Sequence, residues 1–289
     1  MIAGAGGRAP ARKVPSELRL RVLSALFLVP LALAVTYLGD LWFVLGASAC
    51  ALLLLREWAA IVGATRSGSG LVFAFAAAVV ALLAAALGHI AIAFALLGCG
   101  AAAIFAFGML RSDEPVRWLA GGLVYAGAAG IVLIAFRAGE AGFLTILFLF
   151  GIVWATDIAA YFVGRALGGP KLWRRVSPKK TWSGALGGLG AALGVGAAAA
   201  LVTGVAGLAG WLIAAAVLSV FSQAGDLLES ALKRHFGVKD SGRLIPGHGG
   251  VMDRLDGVVG AGVLGYLVAV VASGVIGDPV GGLVTMQGY

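Results

Sequence analysis

Long apolar blocks, separated by short polar stretches, set the pattern of this chain. Nine blocks stand out, at roughly residues 22–38, 41–62, 71–87, 90–110, 118–136, 143–163, 184–205, 207–228 and 258–276. A bilayer core about 30 Å thick needs roughly 20 apolar residues per helix, and several blocks reach that length almost free of charge. The pattern predicts an all-α fold: a polytopic integral membrane helical bundle of about nine transmembrane helices. Residues 1–21 form a basic tail. Residues 22–289 form one transmembrane domain, with N-terminal spans over 22–136 and a second half over 143–276.

Composition agrees. The chain is 61% hydrophobic and 12% charged, where a soluble domain carries about twice that charged fraction; its mean hydropathy is +1.02. The net charge of +8 would suggest nucleic acid in a soluble protein. Here the basic residues lie between apolar blocks, so they point to lipid headgroups, phosphorylated substrates and topology, and no nucleic-acid partner is expected. Placing the N-terminus in the cytoplasm puts Arg66, Arg111, Arg117, 165–180 and 233–254 on the inner side, and outside the membrane core it leaves Arg137 alone on the far side. That distribution satisfies the positive-inside rule and predicts a cell inner membrane protein with its polar segments facing the cytoplasm. The apolar stretch after the tail has no clear small-x-small cleavage site, which argues against a cleaved signal.

Several familiar sites are absent from the sequence. Cys50 and Cys99 lie inside apolar blocks and form no CxxC, so neither a disulfide framework nor a zinc site is indicated. The glycine-rich stretch 187–194 lacks a full GxGxxG and follows no strand, and there is no Walker A motif. Glycines at small-xxx-small spacing, such as Gly190 and Gly194, suit close helix packing instead.

Two polar segments on the inner side hold most of the chemistry. In the second, Asp226, Ser230 and Arg234 recur at i,i+4 and share a helix face. Asp226 at membrane depth is a functional candidate; a structural ion pair with Lys233 or Arg234 is the plainer account. Lys239 and Asp240 follow, then Pro246, Gly247, His248, Gly249 and Gly250. Proline and glycines forbid a continuous helix there and expose N–H groups to phosphate. Asp253 and Asp256, i,i+3, open the last helix. One of them is readily a cap, both less so. If that helix packs against the one carrying Asp226, the aspartates make a hard-oxygen site suited to Mg²⁺. In the first segment, Asp157 is either a packing partner or a site residue. Ser177, Lys179, Lys180 and Thr181 make a compact cationic loop, read either as a topology signal or as a phosphate clamp.

These residues resemble the phosphatidate cytidylyltransferase family, also called CDP-diacylglycerol synthase. Its C-terminal signature has the form S-x-[apolar]-K-R-x4-K-D-x-[small]-x2-[apolar]-[PG]-x-H-G-G-[apolar]-x-D-R-[apolar]-D. Ser230, Lys233, Arg234, Lys239, Asp240, Gly242, Ile245, Pro246, His248, Gly249, Gly250, Asp253, Arg254 and Asp256 occupy it without a gap. The pair Gly225-Asp226, the stretch from Asp157 through Tyr161 to Arg165, and the loop 177–182 look like further family elements. Many members carry Glu where this chain has Ser183. The close resemblance covers the C-terminal half.

The resemblance implies that CTP and phosphatidic acid react to give CDP-diacylglycerol and pyrophosphate, within membrane lipids, and it permits a homodimer. It implies Mg²⁺, as two cations, on Asp226, Asp253 and Asp256. Asp226, Asp253, Lys233 and Arg234 are then the catalytic candidates. Ser177, Lys179, Lys180, Thr181, Ser230, Lys239, Asp240, His248, Gly249, Gly250 and Arg254 are the substrate-binding candidates. Two other readings use the same residues: a polyprenol kinase with CTP as donor, and an ion-coupled transporter built on Asp157 and Asp226.

Overall fold

The computed structural model describes residues 17–139, 141–204, 207–245, 249–278 and 280, with side chains from Val22 onward. Nine α-helices are found among the described residues: α1 (Glu17–Leu38), α2 (Asp40–Ile61), α3 (Gly68–Ala86), α4 (Ile90–Leu110), α5 (Glu114–Ala138), α6 (Gly142–Leu167), α7 (Trp182–Thr203), α8 (Leu208–His235) and α9 (Met252–Ser273). All but α1 are long and apolar enough to cross a membrane; in α1 the apolar part is Val22–Leu38. The chain is an integral membrane protein with the expected helical-bundle architecture.

Local chemistry explains several boundaries. Asp113 caps α5, its carboxylate accepting from Val116 N at 3.2 Å, with Pro115 in the first turn. Thr181 caps α7 by accepting from Gly184 N at 3.1 Å. Gly204 and Gly274, both left-handed, end α7 and α9. Arg137, the one Lys or Arg at the opposite end among the described residues, donates from Nε to Thr36 O at 3.0 Å and so satisfies the last turn of α1.

The structure departs from the sequence reading in one place and extends two apolar blocks into the helical polar residues expected beside them. The segment read as a cationic loop is a β-hairpin, with β1 (Lys171–Trp173) antiparallel to β2 (Ser177–Thr181). α8 does not stop near residue 228 but runs on to His235, and α9 begins at Met252 rather than 258. Hydropathy falls where charges appear, yet backbone hydrogen bonding continues through them. At 28 residues α8 is about 42 Å long, roughly 12 Å more than the apolar core needs, so its Lys233–His235 end projects beyond it.

α5 is the spine: 78% of its apolar window is buried, against 17% for α7. It packs against α2, α3 and α4 on one side and touches α6 and α9 on the other. α6, α7, α8 and α9 form the second group. The small residues of α7 that face its neighbours are Gly184, Gly188, Ala192 and Gly196. A Cβ on Gly188 would lie 2.8 Å from Thr156 O, and one on Gly196 2.8 Å from Trp211 O. Gly190 and Gly194, the spacing expected to pack, have nothing within 4 Å.

Candidate active site

Glycine contact brings α8 and α9 together. A Cβ on Gly225 would stand 2.8 Å from Gly260 Cα and 2.5 Å from Asp256 O, so the helices meet backbone to backbone. Asp226 and Asp256 follow from that contact as neighbours near one end of the bundle. Asp256 Oδ1 accepts from Gly257 N at 2.8 Å. Ser230 Oγ donates to Asp226 Oδ1 at 3.4 Å. The ion-pair partner of Asp226 is Lys180 from β2, not Lys233 or Arg234. The hairpin thus delivers its cation onto α8, held by Thr181 at the α7 cap and by Ser183, which donates to Gly168 O. Ser183 also contacts Thr181 Oγ1 at 3.0 Å.

A second cation lies between two acids. Lys233 Nζ is 2.6 Å from Asp253 Oδ1 and 3.2 Å from Glu229 Oε1. Asp253 Oδ2 accepts from Gly250 N at 2.8 Å, Ser241 N at 3.0 Å and Ser241 Oγ at 3.0 Å. Both of its oxygens are therefore occupied by donors. Glu229 is 1% exposed, and neither oxygen has an aligned hydrogen bond. Its charge acts on that of Asp256, and Asp157 feels the charges of Asp226, Asp256, Lys180 and Arg254. Four carboxylates from α6, α8 and α9 therefore share one electrostatic neighbourhood.

Of the expected residues, Lys180, Asp226, Ser230, Lys233, Gly249, Gly250, Asp253 and Asp256 lie in or against this cluster. Gly249 adopts φ +88°, and its carbonyl accepts from Ile245 N at 2.9 Å. Thr181 is a helix cap, and Ser177 is half-buried on β2. Lys179, Lys239, Asp240 and Arg254 are exposed. Arg234 is exposed at the end of α8 and donates to Val238 O at 3.5 Å. His248 lies outside the described residues. Asp226, Asp253 and Asp256 do not form one three-carboxylate cluster: among the described residues, no three His, Cys, Asp or Glu side chains are placed to hold a metal ion. Asp253 is held by Lys233 on Oδ1 and by the Ser241 and Gly250 donors on Oδ2.

Three residues were not expected in the site. Glu229 is one. Tyr125 of α5 is another: its hydroxyl is enclosed, lacks a hydrogen-bond partner, and lies within the field of Asp226, Glu229 and Asp256. The third is Glu57 of α2, which accepts from Val251 N at 2.9 Å, Met252 N at 2.8 Å and Ser241 Oγ at 3.0 Å. An acid inside an apolar block is a functional signal by itself, and position 57 carried it.

Residues 19–272 match the Cytidylyltransferase family. The chain belongs to that family. It is 44% identical over 256 residues to a phosphatidate cytidylyltransferase of Brucella suis, covering 87% of this chain and 93% of that protein. A protein of the same name from Brucella melitensis gives the same identity over the same extent. One from Staphylococcus saprophyticus is 51% identical over 113 residues, 38% of this chain and 43% of that protein. As a member of a cytidylyltransferase family, the chain is a nucleotidyltransferase.

The donor set fits what such an enzyme asks of a divalent cation. Asp226, Asp256 and Glu229 supply hard carboxylate oxygens, and those of Glu229 are buried without an aligned hydrogen bond. Mg²⁺ commonly takes one or two protein carboxylates and completes its shell with water and substrate phosphate, so a preformed three-ligand cage is not required.

Proposed function

We propose that this cytidylyltransferase-family enzyme joins CTP to phosphatidate, yielding CDP-diacylglycerol and pyrophosphate at the cytoplasmic end of its helices in the cell inner membrane. One observation carries the reading: acids from α6, α8 and α9 meet the cation of the hairpin at a single end of the bundle, joined by Lys180 to Asp226.

The chemistry asks for little proton transfer. The attacking phosphatidate oxygen is already an anion, and pyrophosphate leaves from the α-phosphorus of CTP. The barrier lies in bringing two polyanions together and in the charge that develops on the leaving group. Lys180 and Lys233 supply positive charge at the acid face. Lys233 is fixed in place by Glu229 and Asp253. Lys179, Lys239 and Arg254 are exposed and able to meet phosphate oxygens. Ser230, beside Asp226, orients that carboxylate. Asp226 and Asp256, with Glu229, would hold Mg²⁺, which when bound neutralises phosphate charge and activates the leaving group. Asp253, which fixes the loop and Lys233, would join them as a ligand. The lipid tails stay in the bilayer.

Purified chain incubated with radiolabelled CTP and phosphatidate should form a lipid that co-migrates with CDP-diacylglycerol, with pyrophosphate in equal amount. A labelled lipid carrying one transferred phosphate and no cytidine would instead mean a CTP-dependent lipid kinase.

A further inference from the structure

The N-terminal helices contain the residue that shapes the loop before α9. Glu57 lies in the apolar helix α2 and is 7% exposed. A carboxylate at that depth is costly unless donors surround it. It has three: Val251 N, Met252 N and Ser241 Oγ, at 2.8–3.0 Å. Val251, the cap position of α9, makes no side-chain cap bond. Glu57 does that work from another helix, where negative charge also suits the positive end of the helix dipole.

The glycines of the loop make room for it. A Cβ on Gly242 would stand 2.9 Å from Glu57 Oε1, and one on Gly250 2.7 Å from Glu57 Cδ. These two glycines are required by a carboxylate of the protein itself, before any phosphate is considered. Ser241 Oγ lies 3.0 Å from both Glu57 Oε2 and Asp253 Oδ2. It has one proton, so it serves one carboxylate at a time and ties the two together. Asp253 then holds Lys233, and Lys233 meets Glu229. An unbroken polar chain therefore runs from α2, through the loop, to the acid face of α8.

We infer that Glu57 is a positioning residue for the reaction: it sets Ser241, Gly242, Gly250 and the start of α9 against α8, so that the N-terminal half of the chain fixes the geometry of a site built from the C-terminal half. Its effect on turnover rests on the activity proposed above; its effect on the loop does not.

Glu57→Gln keeps the size of the side chain but replaces one acceptor with an amide that faces N–H donors. In full-length purified protein it should speed hydrogen exchange across 239–253 and leave α3 and α4 unchanged. It should lower kcat at least about tenfold while the melting temperature stays within about 3 °C of the starting protein. A second arm uses Gly242→Ala, whose methyl group would have atoms of Glu57 as its three nearest neighbours. Combined with Glu57→Ala, the loss in kcat should fall well short of the product of the two single losses. Wild-type exchange and kcat in Glu57→Gln would overturn the inference, as would single losses that simply multiply. If Glu57→Gln does not fold, Ser241→Ala carries the test, and normal exchange and kcat there overturn it equally. If the parent protein makes no CDP-lipid while the loop responds as stated, the positioning role stands and the proposed reaction falls.

Discussion

Asp226 and Lys233 are both charged residues of α8, yet they should fail in different ways when replaced. The Asp226–Lys180 pair is partly solvated, with side chains 29% and 28% exposed, so breaking it costs folding no more than about 1 kcal/mol. Its proposed task is at the phosphates. Asp226→Asn is therefore expected to lose several kcal/mol of transition-state stabilisation, on the order of a thousandfold in kcat/KM, with little change in melting temperature. Lys233 is 12% exposed and neutralises Glu229 and Asp253, at 1% and 8%. Lys233→Met strands two carboxylates that water hardly reaches. A destabilisation of about 3–5 kcal/mol should follow, read as a large fall in melting temperature together with lost activity. A Lys233→Met protein that melts like its parent would show that the two acids find other partners, and the Lys233 bridge would lose its structural role.

At the scale of elements, α7 offers a paired test. Gly188 faces Thr156, where a methyl group has no room, whereas Gly190 faces open space. Gly188→Ala should cost about 1–3 kcal/mol by pushing α7 off α6. Gly190→Ala should be neutral or slightly stabilising. Equal melting temperatures for the two variants would refute the packing face assigned to α7. The same contrast shows what the sequence could and could not reveal. Apolar blocks announced the helices, and the i,i+4 glycine spacing announced close packing. That spacing occurs on two faces of α7, however, and the choice between them depends on Thr156 and Trp211, residues of other helices. The hairpin was hidden because Ser-Pro-Lys-Lys-Thr has little strand character; its form comes from anchoring, with Thr181 on α7 and Lys180 on Asp226. The aspartates, Ser230 and Lys233 were legible from type and spacing. Glu57 was visible as an oddity in α2, but its role was not, because its partners lie 184 to 195 residues away. The carboxylate of Asp253 was legible too, but the Ser241, Gly250 and Lys233 donors that hold it were not, because they come from the loop and from another helix.

Over the whole molecule, the basic residues sort to one end. From Arg56 onward every Lys and Arg falls at the helix termini or loops beside the acid cluster except Arg137, which is used to finish α1. CTP is a cytosolic polyanion, and the inner leaflet attracts cationic segments. On both grounds we propose that this end faces the cytoplasm, and the orientation can be tested without reference to turnover. In a background lacking Cys50 and Cys99, a cysteine in place of Arg174, on the exposed side of the hairpin, should react with a membrane-impermeant maleimide in inverted vesicles and stay unlabelled in right-side-out ones. A cysteine in place of Ala141, exposed at the entry to α6, should give the opposite pattern. Ala141 precedes α6 and Arg174 lies on the hairpin that follows it; the helix between them is about 39 Å for 26 residues, so they cannot share a compartment if α6 crosses the bilayer. Labelling at Arg174→Cys from outside would put the acid cluster where no CTP is supplied. The proposed reaction would then have to be abandoned, even though the fold, the Glu57 cap and the α8–α9 contact would all remain as they are.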